Sequence, residues 1–325
     1  MTRRMVRLSR LRASLILPML PLALLSPAGA QVSTPPNTLE RQRIEVPSSI
    51  DRTLQPAYLS VPDGLKATDP PTPLVVVLHT WSFDLEQRDE GLEKEVADRR
   101  WMLLAPNFRG RNDHPEACGS NLAQQDILDA VQWVQDRYPI DRARVYLTGL
   151  SGGGYMTMLM AARHPEPWAA ASAWVGIGDL ADWYRVHSND NYGQMMRACL
   201  GGAPGDSDAI TNEYKVRSPI TFVGGGVKVP LDIAAGRDDP VVPIAQSLRV
   251  FSAIALAGGG TAVSEDDLRR AGRGPAAAPD VIDPDLGKKV YLRREAGASR
   301  ITIFDGAHEW VPQAAIAWLA GHRKP

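Results

Sequence analysis

Strands and helices alternate along most of this chain, and that alternation predicts an α/β fold on a mostly parallel sheet with helices on both faces. Two further observations agree. Leu74-Val75-Val76-Val77-Leu78 and Trp101-Met102-Leu103-Leu104-Ala105 are continuous apolar runs, as expected of strands covered on both sides. The apolar segment Val145-Tyr146-Leu147 passes through a glycine-rich turn into Met156-Thr157-Met158-Leu159-Met160-Ala161-Ala162, which reads as a helix.

Residues 1–30 read as a cleaved export signal rather than part of this fold. Arg3, Arg4, Arg7, Arg10 and Arg12 form a basic head, Leu15 to Leu25 is an apolar stretch too short to span a bilayer comfortably, and Ala28-Gly29-Ala30 is a small-residue cleavage site. The expected location is therefore secreted or periplasmic. Residues 31–325, about 295 in number, are long enough for a single domain with a substantial core. No other run is long and apolar enough for stable membrane insertion. With 36 basic and 37 acidic residues and a formal net charge of −1, nothing in the composition favours nucleic acid or an anionic membrane as partner.

Gln31 to about Thr38 reads as a leader with too few apolar residues to pack. Arg43-Ile44-Glu45-Val46 and Ala57-Tyr58-Leu59-Ser60-Val61 alternate, as half-buried antiparallel edge strands do. The central run at residues 74–78 follows, then a helix expected over Leu85–Arg99, the strand at residues 101–105, and a helix over Gln124–Arg137 with Ile127, Ala130, Val131 and Val134 on one face. After the helix at residues 156–162, Trp168 to Gly176 reads as a strand. Residues 179–228 show no clean strand and are the expected material for a cap. Their Met and aromatic residues, Trp183, Tyr184, Tyr192, Met195 and Met196, fit either a pocket wall or plain core. Val229–Ala235 resumes strand character, Pro243–Leu256 is a helix, and Gly258–Asp285 is a surface excursion with a short helix near residues 264–270. Val290–Leu292 and Arg300–Phe304 are strands, and the helix Pro312–Ala320 follows.

The turn at the centre is Gly149-Leu150-Ser151-Gly152-Gly153, a GxSxG pattern between strand and helix. A serine on so tight a turn exposes its hydroxyl, and the helix behind it aims free N–H groups at a developing oxyanion. Gly152 N–H is the natural first donor. A hydroxyl is a weak nucleophile at neutral pH, so Ser151 needs an imidazole base and a carboxylate that orients it. After the strand ending at Ala235 stands Gly236-Arg237-Asp238-Asp239-Pro240, where both aspartates are candidates. After the last strand stands Gly306-Ala307-His308, and His308 is the histidine in the right place.

The elbow, the upstream Asn107-Phe108-Arg109-Gly110, Asp239-Pro240-Val241-Val242-Pro243 and Gly306-Ala307-His308 resemble the α/β-hydrolase superfamily over about Leu74–Leu319. Within it they look like the catalytic domain of prolyl oligopeptidase-type serine hydrolases. They are also similar to secreted feruloyl, acetylxylan and polyhydroxybutyrate depolymerase-like esterases. The resemblance implies an α/β-hydrolase fold with a central sheet of about eight strands, and it selects Asp239 over Asp238 as the acid. Many relatives carry His-Gly-Gly after the central strand where this chain has His79-Thr80-Trp81. By analogy the second oxyanion donor is Trp81 N–H, with Thr80 N–H as the alternative. The Trp81 ring has two readings, stacking on substrate or buried packing.

Together these readings imply a catalytic set of Ser151, Asp239 and His308, with Gly152 and Trp81 at the oxyanion. The expected reaction is cleavage of small or polymer-derived carboxylic esters through an acyl-enzyme, without cofactor or metal. This length leaves no room for the propeller that gates prolyl oligopeptidases, and a more open site favours esters. A prolyl oligopeptidase-like peptidase and a noncatalytic binding protein are the alternatives; Arg109, Arg185 or Asp190 beside Ser151 would favour the peptidase. Cys118 and Cys199 are the only cysteines, and an oxidising compartment leaves two readings open, a bridge near the site rim or two buried thiols.

Overall fold

The computed structural model describes residues 39–325 apart from residues 67, 265, 268 and 270–281. The expected export signal and leader lie outside the described residues, and the short helix expected near residues 264–270 falls partly outside them.

The strands are β1 (Leu39–Pro47), β2 (Leu54–Pro62), β3 (Thr72–Leu78), β4 (Met102–Pro106), β5 (Ile140–Leu150), β6 (Ala170–Trp174), β7 (Leu231–Gly236), β8 (Ile282–Asp283), β9 (Lys288–Ala296) and β10 (Ser299–Phe304). They form one ten-stranded sheet in the order β1-β2-β4-β3-β5-β6-β7-β10-β9-β8. Neighbours from β4 through β10 run parallel, whereas β1–β2, β2–β4, β10–β9 and β9–β8 are antiparallel. This is the mostly parallel, doubly covered sheet that the alternation predicts. The count exceeds eight partly because the two-residue β8 is too short to show a period.

Alternate residues of β3 enter opposite layers, as the two-residue period of a strand requires. Leu74, Val76 and Leu78 join the core built by α2 (Asn121–Gln135), α3 (Gly152–Arg163) and α8 (Ala245–Ala257). Val75 joins the layer under α1 (Glu90–Asp98) and α9 (Pro312–Ala320). Leu74, Val75 and Val76 are fully buried, each contributing roughly 1.5–3 kcal/mol of transfer free energy.

The helix expected from Leu85 starts only at Glu90. Asp84 Oδ1 accepts from Glu86 N and Asp89 Oδ1 from Leu92 N, so local side-chain bonds hold residues 79–89 in turns until Asp89 caps α1. The second helix starts earlier than Gln124, because the Ser120 hydroxyl accepts from Ala123 N.

Residues 179–228 are helical: α4 (Leu180–His187), α5 (Asn191–Leu200), α6 (Asp208–Val216) and α7 (Ile220–Val223). The two readings of their Met and aromatic residues divide. Trp183, Tyr184, Met195 and Met196 are buried in the main core, while Tyr192 stays partly exposed and lines a cleft at Ser151. Cys118 and Cys199 are joined by a disulfide, with Cα atoms 6.2 Å apart, which ties the loop before α2 to α5.

Candidate active site

Ser151 occupies the junction of β5 and α3 at φ 59° and ψ −117°, a conformation unfavourable for a residue with a side chain. The turn closes because a Cβ on Gly153 would lie 2.0 Å from Leu78 O, and one on Gly152 would lie 2.3 Å from Trp81 N. Only hydrogen fits at either position. Ser151 N donates to Trp174 O at 2.9 Å, and Tyr155 N donates to Ser151 O at 2.8 Å, which fixes the serine between β6 and the first turn of α3.

Asp239 follows β7 and His308 follows β10, and these strands are neighbours. Backbone bonds from Arg237 N to Phe304 O and from Asp238 N to Gly306 O, both 2.9 Å, staple the two loops together. Asp239 is buried; its Oδ1 accepts from Val241 N at 2.8 Å and Val242 N at 2.9 Å, leaving Oδ2 2.8 Å from His308 Nδ1. That pairing orients the imidazole with Nε2 free for proton transfer. Asp238 is exposed, and the carboxylate that bonds His308 Nδ1 at 2.8 Å is that of Asp239. Ser151 and His308 line one cleft of about 610 Å³ with Trp81, Phe83, Glu86, Arg88, Leu150 and Tyr192. The Ser151 hydroxyl has no hydrogen-bond partner among the described residues. Serine–imidazole bonds often tighten only when substrate arrives.

The backbone of Gly152 packs against the Trp81 amide, since a Cβ on Gly152 would lie 2.3 Å from Trp81 N, so the two expected oxyanion donors are neighbours in space. Thr80 N–H, the alternative second donor, is taken by Gln87 Oε1 at 2.8 Å, whereas Trp81 N–H meets no acceptor among the described residues. The Trp81 ring is 1 % exposed and packs against Trp183 and Tyr155, so of its two readings packing holds. Trp81 O accepts from Asn112 N at 3.0 Å, and Asn112 Oδ1 accepts from Cys118 N at 2.7 Å, which links this segment to the disulfide loop.

The three groups expected to mark a peptide-terminus anchor are engaged elsewhere. Arg109 is held by Asp51 and Asp126, Arg185 by Asp182, and Asp190 caps α5 and pairs with His187. Sequence reasoning missed Phe83, Glu86, Gln87 and Arg88. Phe83 precedes the helix expected from Leu85, and Glu86, Gln87 and Arg88 fall in its expected first turn; the turns that the chain forms instead before α1 bring them to the cleft of Ser151. No group of three or more His, Cys, Asp or Glu side chains able to hold a metal occurs among the described residues.

A dipeptidyl aminopeptidase BIII of Pseudoxanthomonas mexicana is 29% identical over 227 residues, covering 65% of this chain and 32% of its own length. This chain thus spans about a third of that relative. A putative esterase NocK of Nocardia uniformis is 26% identical over 264 residues, covering 76% of this chain and 68% of its own. The solved acylaminoacyl peptidase of Pyrococcus horikoshii superposes with a TM-score of 0.60 at 18% identity, over 86% of this chain and 40% of that one, a likeness of fold. The prolyl oligopeptidase family model matches residues 98–264, just over half of the sequence, including the Ser151 elbow and Asp239. Sheet order, elbow and this match agree that the chain belongs to the prolyl oligopeptidase family of α/β-hydrolase-fold serine hydrolases.

Proposed function

We propose that this protein is an exported serine hydrolase that cleaves carboxylic esters through an acyl-enzyme. Ser151 Oγ attacks the ester carbonyl while His308 Nε2 takes its proton. Asp239 holds the imidazole in the tautomer that can accept. Gly152 and Trp81 N–H groups stabilise the oxyanion, and His308 returns the proton to the departing alcohol. Water then repeats the sequence on the acyl-enzyme and frees Ser151. Residues 1–30 are the export signal of this reading, and residues 31–325 its single catalytic domain with a helical cap at residues 179–228.

The observation that carries the ester over the peptide is the composition of the cleft. Phe83, Leu150 and Tyr192 offer apolar walls, and Arg109, Arg185 and Asp190 are committed to other partners. A second reading, an aminopeptidase-like activity, has its own support. Glu86 brings a carboxylate into the cleft, where it accepts from the Tyr58 hydroxyl at 3.2 Å, and relatives include a dipeptidyl aminopeptidase and an acylamino-acid-releasing enzyme.

The test is hydrolysis of p-nitrophenyl acyl esters beside aminoacyl and prolyl p-nitroanilides, with Ser151→Ala as control. The expected result is rapid ester cleavage that Ser151→Ala abolishes, with little release of nitroaniline. Efficient anilide cleavage would replace the ester reading with the peptidase one, and a Ser151→Ala protein with full activity would remove Ser151 from the chemistry.

A further inference from the structure

The loop that carries Asp239 is gripped by a second histidine–aspartate pair, at the junction of α4 and α5. His187, the last residue of α4, is buried, and its ring nitrogens face two acceptors: Nε2 lies 2.7 Å from Val241 O and Nδ1 2.6 Å from Asp190 Oδ2. Burial pushes the Asp190 carboxyl up, but bonds from His187 and from the Gly193 and Tyr192 amides outweigh it and hold it below its ordinary value. A carboxylate and a carbonyl can only accept, so His187 donates to both. Asp190 is itself fixed, because Oδ1 accepts from Tyr192 N at 2.9 Å in the first turn of α5. Val241 O takes a further donor from α4, Trp183 Nε1 at 3.0 Å. The rings of Trp183, His187 and Tyr192 pack on one another with centroids 4.9–5.2 Å apart.

Val241 C=O and Val242 N–H belong to one peptide group. A trans peptide is planar with these two bonds antiparallel, so donors that fix the carbonyl aim the N–H the opposite way. On that opposite side Val242 N donates to Asp239 Oδ1 at 2.9 Å, and Asp239 Oδ2 stands 2.8 Å from His308 Nδ1. We infer that His187 is a positioning residue for the catalytic acid: with Trp183 it locks the Val241–Val242 peptide, and that peptide holds the Asp239 carboxylate facing His308. If the peptide turned, Val241 N at 2.8 Å would be the remaining backbone donor to Oδ1, and the carboxylate could rotate about its own bond. Hydrogen bonds thus run from Asp190 through His187 and the Val241–Val242 peptide to Asp239 and His308, each polarising the next. His187 does not line the cleft at Ser151, so it acts on the chemistry through Asp239. This inference rests on the acyl-enzyme reading above, because it needs His308 to act as a base.

Val241 O has two side-chain donors, so removing one leaves the other, and only removing both frees the peptide. Trp183→Phe keeps a ring and loses its N–H; His187→Phe keeps a ring and loses both of its donors. These two variants and the double variant Trp183→Phe/His187→Phe are compared with wild type by kcat and KM on p-nitrophenyl acetate. The same proteins are tested for the rate at which a fluorophosphonate probe labels Ser151, a readout that needs no knowledge of the natural substrate. Each single variant, short of one hydrogen bond to Val241 O, is expected to keep kcat within about fivefold of wild type. Independent losses would then multiply to at most about 25-fold, whereas a displacement of about 1 Å can cost about 10²-fold, the loss expected of the double variant. KM should stay within about twofold, a split that marks transition-state stabilisation. Two polar replacements in the Trp183→Phe background separate this role from packing. The amide nitrogen of His187→Gln stands as many bonds from Cβ as Nε2 does, and that variant is expected to recover most of both rates. The amide of His187→Asn stops one bond short, and that variant is expected to stay as slow as the double variant.

A double variant whose loss is no more than the product of the single losses, a loss carried by KM with kcat unchanged, or equal rates for the Gln and Asn proteins would each overturn the positioning role. If the double variant does not fold, the Gln and Asn pair still decides. Ser151→Ala, run alongside, separates the two layers: a Ser151→Ala protein that still hydrolyses the ester overturns the acyl-enzyme reading and this one with it. A dead Ser151→Ala protein beside an unimpaired Trp183→Phe/His187→Asn overturns only the role of His187.

Discussion

Replacing Asp239 by Asn exchanges one carboxylate oxygen for an NH₂ group, and the hydrogen bonds around it say what must follow. Oδ1 accepts two backbone N–H groups, from Val241 at 2.8 Å and Val242 at 2.9 Å. Those donors require an oxygen, so the new amide turns its NH₂ toward His308 Nδ1, which Oδ2 faces at 2.8 Å in the wild type. An NH₂ group can only donate, so Nδ1 must give up its proton to Nε2. Nε2 is the nitrogen that has to accept the Ser151 proton, and it now cannot. The wrong tautomer of a triad histidine lowers kcat about 10⁴-fold. At 1.36 kcal/mol per factor of ten, this is about 5.5 kcal/mol of lost transition-state stabilisation. Folding should change far less, because the two backbone bonds survive and one hydrogen bond changes character, a loss below about 2 kcal/mol. The assay is kcat and KM on p-nitrophenyl acetate beside a thermal melt, with Asp238→Asn as comparison. Asp238 is exposed and its variant should stay within about threefold, as surface substitutions usually do. A loss below tenfold in Asp239→Asn, together with a large loss in Asp238→Asn, would refute the tautomer argument and move the acid to Asp238.

Gly152→Ala would place a Cβ 2.3 Å from Trp81 N, so the amide must move; kcat should fall about 10²–10³-fold, and a wild-type rate would mean that Trp81 N–H is not a donor. Breaking the Cys118–Cys199 bridge by a Ser pair releases a loop of 81 residues' separation and should lower unfolding free energy by about 2–5 kcal/mol in urea titrations; an unchanged midpoint would contradict a stabilising bridge. Acid should destabilise the fold in a defined window. Burial pushes the Asp141 and Asp283 carboxyls up, but hydrogen bonds from Arg144 and Ala143 to the first, and from Leu286, Arg293 and Asp285 to the second, outweigh it and hold both below their ordinary value. A depressed folded-state pKa gives stability that is complete above the unfolded value, about 3.9, and lost as pH falls through the folded value. The melting temperature should therefore drop below about pH 4, with a shallower fall in Asp141→Asn and Asp283→Asn; identical slopes in the variants would count against these two carboxylates.

The candidate site divides along a physical line. Ser151, Asp239 and His308 were legible because each follows a strand whose apolar pattern marks its end, and because the glycines around Ser151 answer to a local requirement, the tight turn itself. The same holds for the sheet: continuous runs such as residues 74–78 announce strands buried on both faces, while the two-residue β8 announces nothing. Helix starts were less legible, because Asp89 and Ser120 decide them through single side-chain bonds that compete with the apolar period.

What tertiary structure alone decided concerns partners distant in sequence or hidden in irregular chain. Nothing in His79-Thr80-Trp81 says which amide is free; Gln87 takes Thr80 N–H, and Trp81 N–H, beside which Gly152 packs, meets no acceptor among the described residues. Composition could not tell whether Cys118 meets Cys199, or that Arg109 is consumed by Asp51 and Asp126 rather than offered to a ligand. Phe83, Glu86 and Arg88 come to the cleft of Ser151 through the turns of residues 79–89, where side-chain bonds override the helical period that begins at Leu85. By itself the sequence determined the fold class and the places where catalytic side chains could stand, since both follow from local period and turn chemistry. The three-dimensional packing decided which donors, walls and charges face Ser151, because those depend on contacts between segments whose approach no local pattern records.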